Sequence, residues 1–236
     1  MALSWGKGDP QKDSIVVVFL DEGGRLREHT RFDNLVDAEN RVELREIVKR
    51  RRPDVIAVGG FTIATTKLAH RVKELINPSE LPAYMGDGYD PNAEPLGIDV
   101  IYVWDEVARI YQHSKRADEE FSALPPLAKY CVGLARYVQS PLSEYAALGS
   151  DITTITFDEE YQQLIPKEKL LTALERVLVD VTNKVGVDIN RAVTDSYYQH
   201  LLPFVCGLGP RKAQALVKRI AAMVSFVADI MLCLAC

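Results

Sequence analysis

A chain of 236 residues, 47% hydrophobic and 26% charged, can bury one large core or two modest ones, which sets disorder aside. Lys and Arg number 28 against 33 Asp and Glu, a formal net charge of -5, so no global positive field draws it to nucleic acid or an anionic membrane, and any such binding must be local. Its four cysteines, Cys131, Cys206, Cys233 and Cys236, are too few and too uneven for a secreted disulfide framework, and the opening MALSWGKGDPQKD has no apolar signal-peptide stretch. A reducing compartment, cytoplasm or nucleus, is expected.

The first half alternates strand-like and helix-like segments, the mark of an α/β or α+β domain with part of its sheet parallel. Ser14 to Leu20 reads as a buried strand, Asp21 to Gly24 as a turn, and Arg25 to Phe32 as the antiparallel return. Asp37 to Arg51 follows as a helix with Val42, Leu44, Ile47 and Val48 on one side, stopped by Pro53. A short central strand over Asp54 to Gly59 leads through Gly60 into a second helix ending near Ile76. Residues 77–98, rich in Pro, Gly, Asp and Asn, read as a long surface loop before a strand over Asp99 to Val103.

The second half becomes helical. Helices are expected from Pro125-Pro126 through Val138 and from Pro141 through Leu148, with at most one short strand over Ile152 to Phe157. Pro166 to Val185 carries Leu170, Leu171, Leu174, Val177, Leu178, Val181 and Val185 on a single stripe, with Gly186 as its stop. Ser196 to Cys206, the turn Gly207-Leu208-Gly209 and Pro210 to about Ile220 form an αα-hairpin, with Ala213, Leu216, Val217 and Ile220 in helical register. From Ile220 to Cys236 only Ser225 and Asp229 are polar, at the lower edge of bilayer-spanning length. The central acid disfavours insertion, so a buried or mis-specified terminal helix is expected in place of a membrane anchor. Its single Cys233-x-x-Cys236 pair lacks the second pair or histidine that a zinc site needs.

The segment CGLGPRKA is the most informative short motif. Glycines reach backbone angles closed to other residues and Pro210 suits a first helical turn, so amides around Gly207 to Arg211 can point outward as an anion site. The local charge agrees: from His200 to Ala228 there is no Asp or Glu, while Arg211, Lys212, Lys218 and Arg219 sit on or beside the second helix. A tight interhelical turn with a solvated basic face explains the same residues, and the motif alone does not choose. Chemistry of other kinds is sparse. His29, His70, His113 and His200 have no metal-ligand spacing, no nucleophile elbow, Walker loop or dinucleotide fingerprint occurs, and Asp105-Glu106 is the one acidic pair at a strand end. That pair reads as a helix-start carboxylate pair, and the run Lys49 to Arg52 as a solvated helix end.

The runs DEVARIYQHSKRADEEF, LPPLAKYCVGLARYVQSPLSEYAAL, KVGVDINRA and VCGLGPRKAQALVKRI resemble, in order and spacing over about residues 2 to 220, the core of the eukaryotic suppressor-of-Ty-six family of transcription elongation factors and histone chaperones, and more distantly bacterial Tex. The resemblance implies an α/β, ribonuclease H-like (YqgF-like) domain over 1–150, a helical linker over 151–195, a helix-hairpin-helix over 196–220 and a divergent apolar tail over 221–236, in a fragment of a longer protein. It implies a nuclear, non-catalytic scaffold that acts with RNA polymerase II and histones on chromatin and binds nucleic acid weakly and without sequence preference, with no membrane partner. Gly207, Leu208, Gly209, Arg211, Lys212, Lys218 and Arg219 are its candidate nucleic-acid contacts. Active ribonuclease H-like resolvases carry an Asp on the first strand, where Ser4 stands here, and Ser140 stands where Tex has Asp, leaving Glu106. Serine offers Mg²⁺ no anionic oxygen, so no catalytic residue, metal or cofactor is expected, and a metal-dependent nuclease or resolvase is the alternative.

Overall fold

The β-branched run at 15–20 suits a pleated strand covered on both faces, and it forms β2 (Ile15–Leu20). β3 (Leu26–Phe32) returns antiparallel to it, pairing Val17 with Thr30, and alternates exposure as an edge strand does. β1 (Ala2–Ser4) lies antiparallel to β2 and parallel to β4 (Val55–Gly59), and β5 (Asp99–Val103) runs parallel to β4, giving the order β3-β2-β1-β4-β5. This computed structural model describes residues 1–9, 13–77 and 95–234, with side chains as far as Met223. The loop expected over 77–98 therefore falls mostly outside the described residues, as do the side chains of Cys233 and Cys236.

Alternate residues of the inner strands face two separate cores. Leu3, Ile15, Val17, Ile56 and Val58 pack with α1 (Ala38–Arg51) and α2 (Ile63–Ile76). Ala2, Val16, Val18 and Ala57 pack on the other face with α5 (Pro126–Gln139), which is buried from Ala128 to Arg136. One expectation fails on α1: Val42 is 62% exposed while Leu44, Ile47 and Val48 are buried. At roughly 100° per residue Val42 lies across the helix from those three. The helix start expected at Asp105-Glu106 opens the short α3 (Glu106–Tyr111), and α4 (Lys115–Glu120), unforeseen in the sequence, completes this unit, which spans 1–139. A Cβ at Gly133 would sit 2.7 Å from the Tyr111 ring, so this glycine lets α5 and α3 approach. The buried Arg136 donates to Gly24 O at 3.0 Å and bidentately to Glu120 at 2.7 and 2.5 Å.

Residues 140–236 form a second compact unit, with α6 (Pro141–Ala147), α7 (Lys167–Val185), α8 (Ile189–Thr194) and α9 (Gly209–Leu234). Ala146, Ala192, Tyr198, Leu201, Leu202 and Ala213 make its core. Four expectations are corrected here. The strand over 152–157 is replaced by a 3-10 helix, Gly149–Thr154, because Thr153 and Thr154 hydroxyls turn back onto the carbonyls of Ser150 and Asp151. The helix over 196–206 is a 3-10 helix, Tyr198–Phe204, carrying Pro203, which has no N–H to give an α-helical ladder. On α7 only Leu178 and Thr182 are buried, and Val177 and Val185 of the expected stripe are 56% and 72% exposed. The hairpin's second helix does not end near Ile220 but is continuous with the expected terminal helix, as one element running to Leu234. Among the described residues no helix is long and apolar enough to cross a membrane.

Candidate functional site

The turn between the 3-10 helix and α9 is built on two left-handed glycines, Gly207 at φ +83° and Gly209 at φ +61°. A side chain at either position would be strained even though nothing crowds its Cβ. Leu208 between them donates its N–H to Val205 O at 3.0 Å and packs against the second unit's core. The N–H groups of the first turn of α9 have no partner inside the helix, and they sit at the positive end of a long helix dipole. Beside them Lys212 Nζ donates to Gly207 O at 2.9 Å.

At roughly 100° per residue, Arg211, Lys212, Lys218 and Arg219 occupy an arc of about 120° on α9. Buried Ala213 and half-buried Leu216, Val217 and Ile220 occupy the opposite side, and all four cations are exposed. Among the described residues none of the four pairs with a carboxylate. The structure thus brings the seven sequence-selected residues onto one turn and one helix face. The sequence drew no attention to Asn183, on the last turns of α7. Its Nδ2 donates to Phe204 O at 3.0 Å and to Val179 O at 2.6 Å, and its Oδ1 accepts from Cys206 N–H at 3.0 Å. Asn183, Phe204, Cys206 and Pro210 line an open cleft of about 730 Å³ alongside the turn.

The acidic candidates are disposed differently. Asp105 follows β5, and its carboxylate accepts from the Tyr130 hydroxyl at 3.1 Å and pairs with Arg109 at 3.3 Å. Burial, then the Asp105 charge and hydrogen bond, push the Tyr130 phenol upward, so it remains a donor. Gly59 gives that hydroxyl room: a Cβ there would stand 2.1 Å from it. Glu106 occupies the first turn of α3, and Ser4 Oγ accepts from Gly6 N–H at 3.3 Å. Ser140, in the other unit, bonds Ser143 hydroxyl to hydroxyl at 2.6 Å. Among the described residues no three of His, Cys, Asp and Glu are grouped to hold a metal ion. Of the basic run at 49–52, Lys49 pairs with Glu46, and Arg50 and Arg51 share Glu28 at 2.5 and 2.6 Å.

Comparison with known proteins gives two family matches. Residues 1–149 match the Holliday-junction resolvase-like domain of SPT6, and residues 150–229 match a helix-hairpin-helix motif. Among curated relatives, transcription elongation factor SPT6 of Mycosarcoma maydis is 42% identical over 94% of this chain and 14% of its own length. The Neurospora crassa protein of the same name is 46% identical over 93% of this chain and 16% of its own length, and that of Schizosaccharomyces pombe 41% over 94% and 15%. The chain thus spans about a sixth or less of the length of the curated relatives it matches.

Proposed function

The chain belongs to the SPT6 family, with the resolvase-like domain and the helix-hairpin-helix motif in series, and from that we propose that it is the non-catalytic scaffold and nucleic-acid-binding core of a nuclear transcription elongation factor and histone chaperone acting with RNA polymerase II on chromatin. The observation that carries the binding half of this reading is the α9 face, where four exposed cations adjoin a glycine turn and a helix N-terminus. Those groups address phosphates, not base edges, so binding is weak and indifferent to sequence. The domain division at 150, 195 and 220 is part of the proposal.

The non-catalytic half rests on the chemistry of Asp105, Ser4 and Ser140. A carboxylate already holding Tyr130 and Arg109 is a poor ligand for Mg²⁺, and Ser4 and Ser140 supply no anionic oxygen. Incubation with junction, duplex and single-stranded substrates in Mg²⁺ and Mn²⁺ is expected to give no cleavage, whereas cleavage abolished by Glu106→Gln would establish a nuclease. In a fluorescence-anisotropy titration at low salt, Arg211→Glu with Lys212→Glu should weaken binding equally for unrelated sequences. Parent-like affinity of that double variant would leave the hairpin a structural turn only.

A further inference from the structure

We propose that Asn183 is the positioning residue of the hairpin, an inference that rests on the nucleic-acid reading of the same turn. One side-chain amide of α7 takes both the carbonyl of Phe204 and the N–H of Cys206, the two groups flanking Val205, just before the chain enters the left-handed Gly207. It pairs with that segment as a neighbouring strand would, donor to acceptor and acceptor to donor. Among the described residues, the other hydrogen bonds at the turn are local to it. Nothing stands within 4 Å of a Cβ built on Gly207 or Gly209, and the bonds Leu208 N to Val205 O and Lys212 Nζ to Gly207 O close within the segment. Leu208, with Ala213 and Val217 of α9, supplies apolar packing into the unit's core. Among the described residues, the Asn183 amide is therefore the hydrogen-bonded tie from another helix to the turn, and it fixes the direction in which the following amides and Arg211 and Lys212 are presented.

The test uses the full chain and a labelled single-stranded oligonucleotide at low salt. Asn183→Ala should weaken binding about five- to tenfold, the scale of one or two lost hydrogen bonds, while the slope of log affinity against log salt stays at the parent value because all four cations remain. Amide exchange should speed up at residues 206–209 with the thermal unfolding midpoint nearly unchanged, and Asn183→Gln should recover part of the affinity. Parent-like affinity of Asn183→Ala overturns the inference, as does a loss that comes with a collapsed unfolding transition, which would make Asn183 merely structural. Failure of the hairpin reading is distinguishable: there, the Arg211→Glu, Lys212→Glu double variant also binds like the parent.

Discussion

A guanidinium that is 2% exposed must be neutralised where it lies, and in the first unit the Arg136 group is held by both oxygens of Glu120. Burial would raise the Glu120 carboxyl, but two hydrogen bonds and the charge of Arg136 outweigh it and hold the group below its ordinary value of 4.5. Glu120→Ala strands a buried charge, and we expect the unfolding free energy to fall by about 3–5 kcal/mol in a urea titration. The sign of the pH effect follows from the lowered value. The stabilisation is complete above pH 4.5 and is lost as pH falls through the folded value, so the stability gap between the parent and Glu120→Gln should narrow only below that point. The Tyr130–Asp105 bond makes a second residue-level case. Tyr130→Phe removes a donor to a half-enclosed carboxylate and should cost about 1–3 kcal/mol, measured the same way, without creating metal-dependent cleavage.

Among the elements, α7 separates pattern from packing. Its apolar stripe is regular in sequence, yet Val177 and Val185 stand exposed while Leu178 and the polar Thr182 are buried. Leu178→Ala should therefore cost about 2–5 kcal/mol and Val177→Lys within about 0.5 kcal/mol, as read from chemical unfolding midpoints. The same contrast explains what was legible in the sequence. β2, β3, β4 and β5, and α1, α2 and α5, could be read because their periodicity and their turn residues agree, as at Pro53 and Pro126. The 3-10 segments could not, since Thr153, Thr154 and Pro203 act through local hydrogen bonds that hydrophobic periodicity does not register. The seven hairpin residues stood out because glycines and a run without acids are sequence features. Asn183 did not, because its partners Phe204 and Cys206 lie 21 and 23 residues away and only the fold brings them to it.

For the whole molecule, charge is distributed in a way that limits any encounter with a polyanion. The net charge is -5, and residues 140–236 hold nine Lys and Arg against eleven Asp and Glu, so even the unit bearing the hairpin is not basic. Four of those nine cations nevertheless fall within residues 211–219, on one face of α9. Attraction is therefore short-ranged, effective within about a Debye length, roughly 10 Å at 0.1 M salt, while beyond it the surrounding acids repel. Binding through this face can release at most as many counterions as there are cations to replace them. With a slope of about −0.9 per phosphate contact on duplex DNA, log affinity against log salt should fall with a slope no steeper than about −4, and affinity should be nearly gone near 0.15 M salt. Each cation neutralised singly, as in Lys218→Gln or Arg219→Gln, should make the slope shallower by about one, whereas Gly207→Val should lower affinity at every salt concentration and leave the slope as it is. A measured slope well beyond −4 would mean that phosphates are also contacted elsewhere, and the exposed basic residues of the first unit would then be the place to seek them.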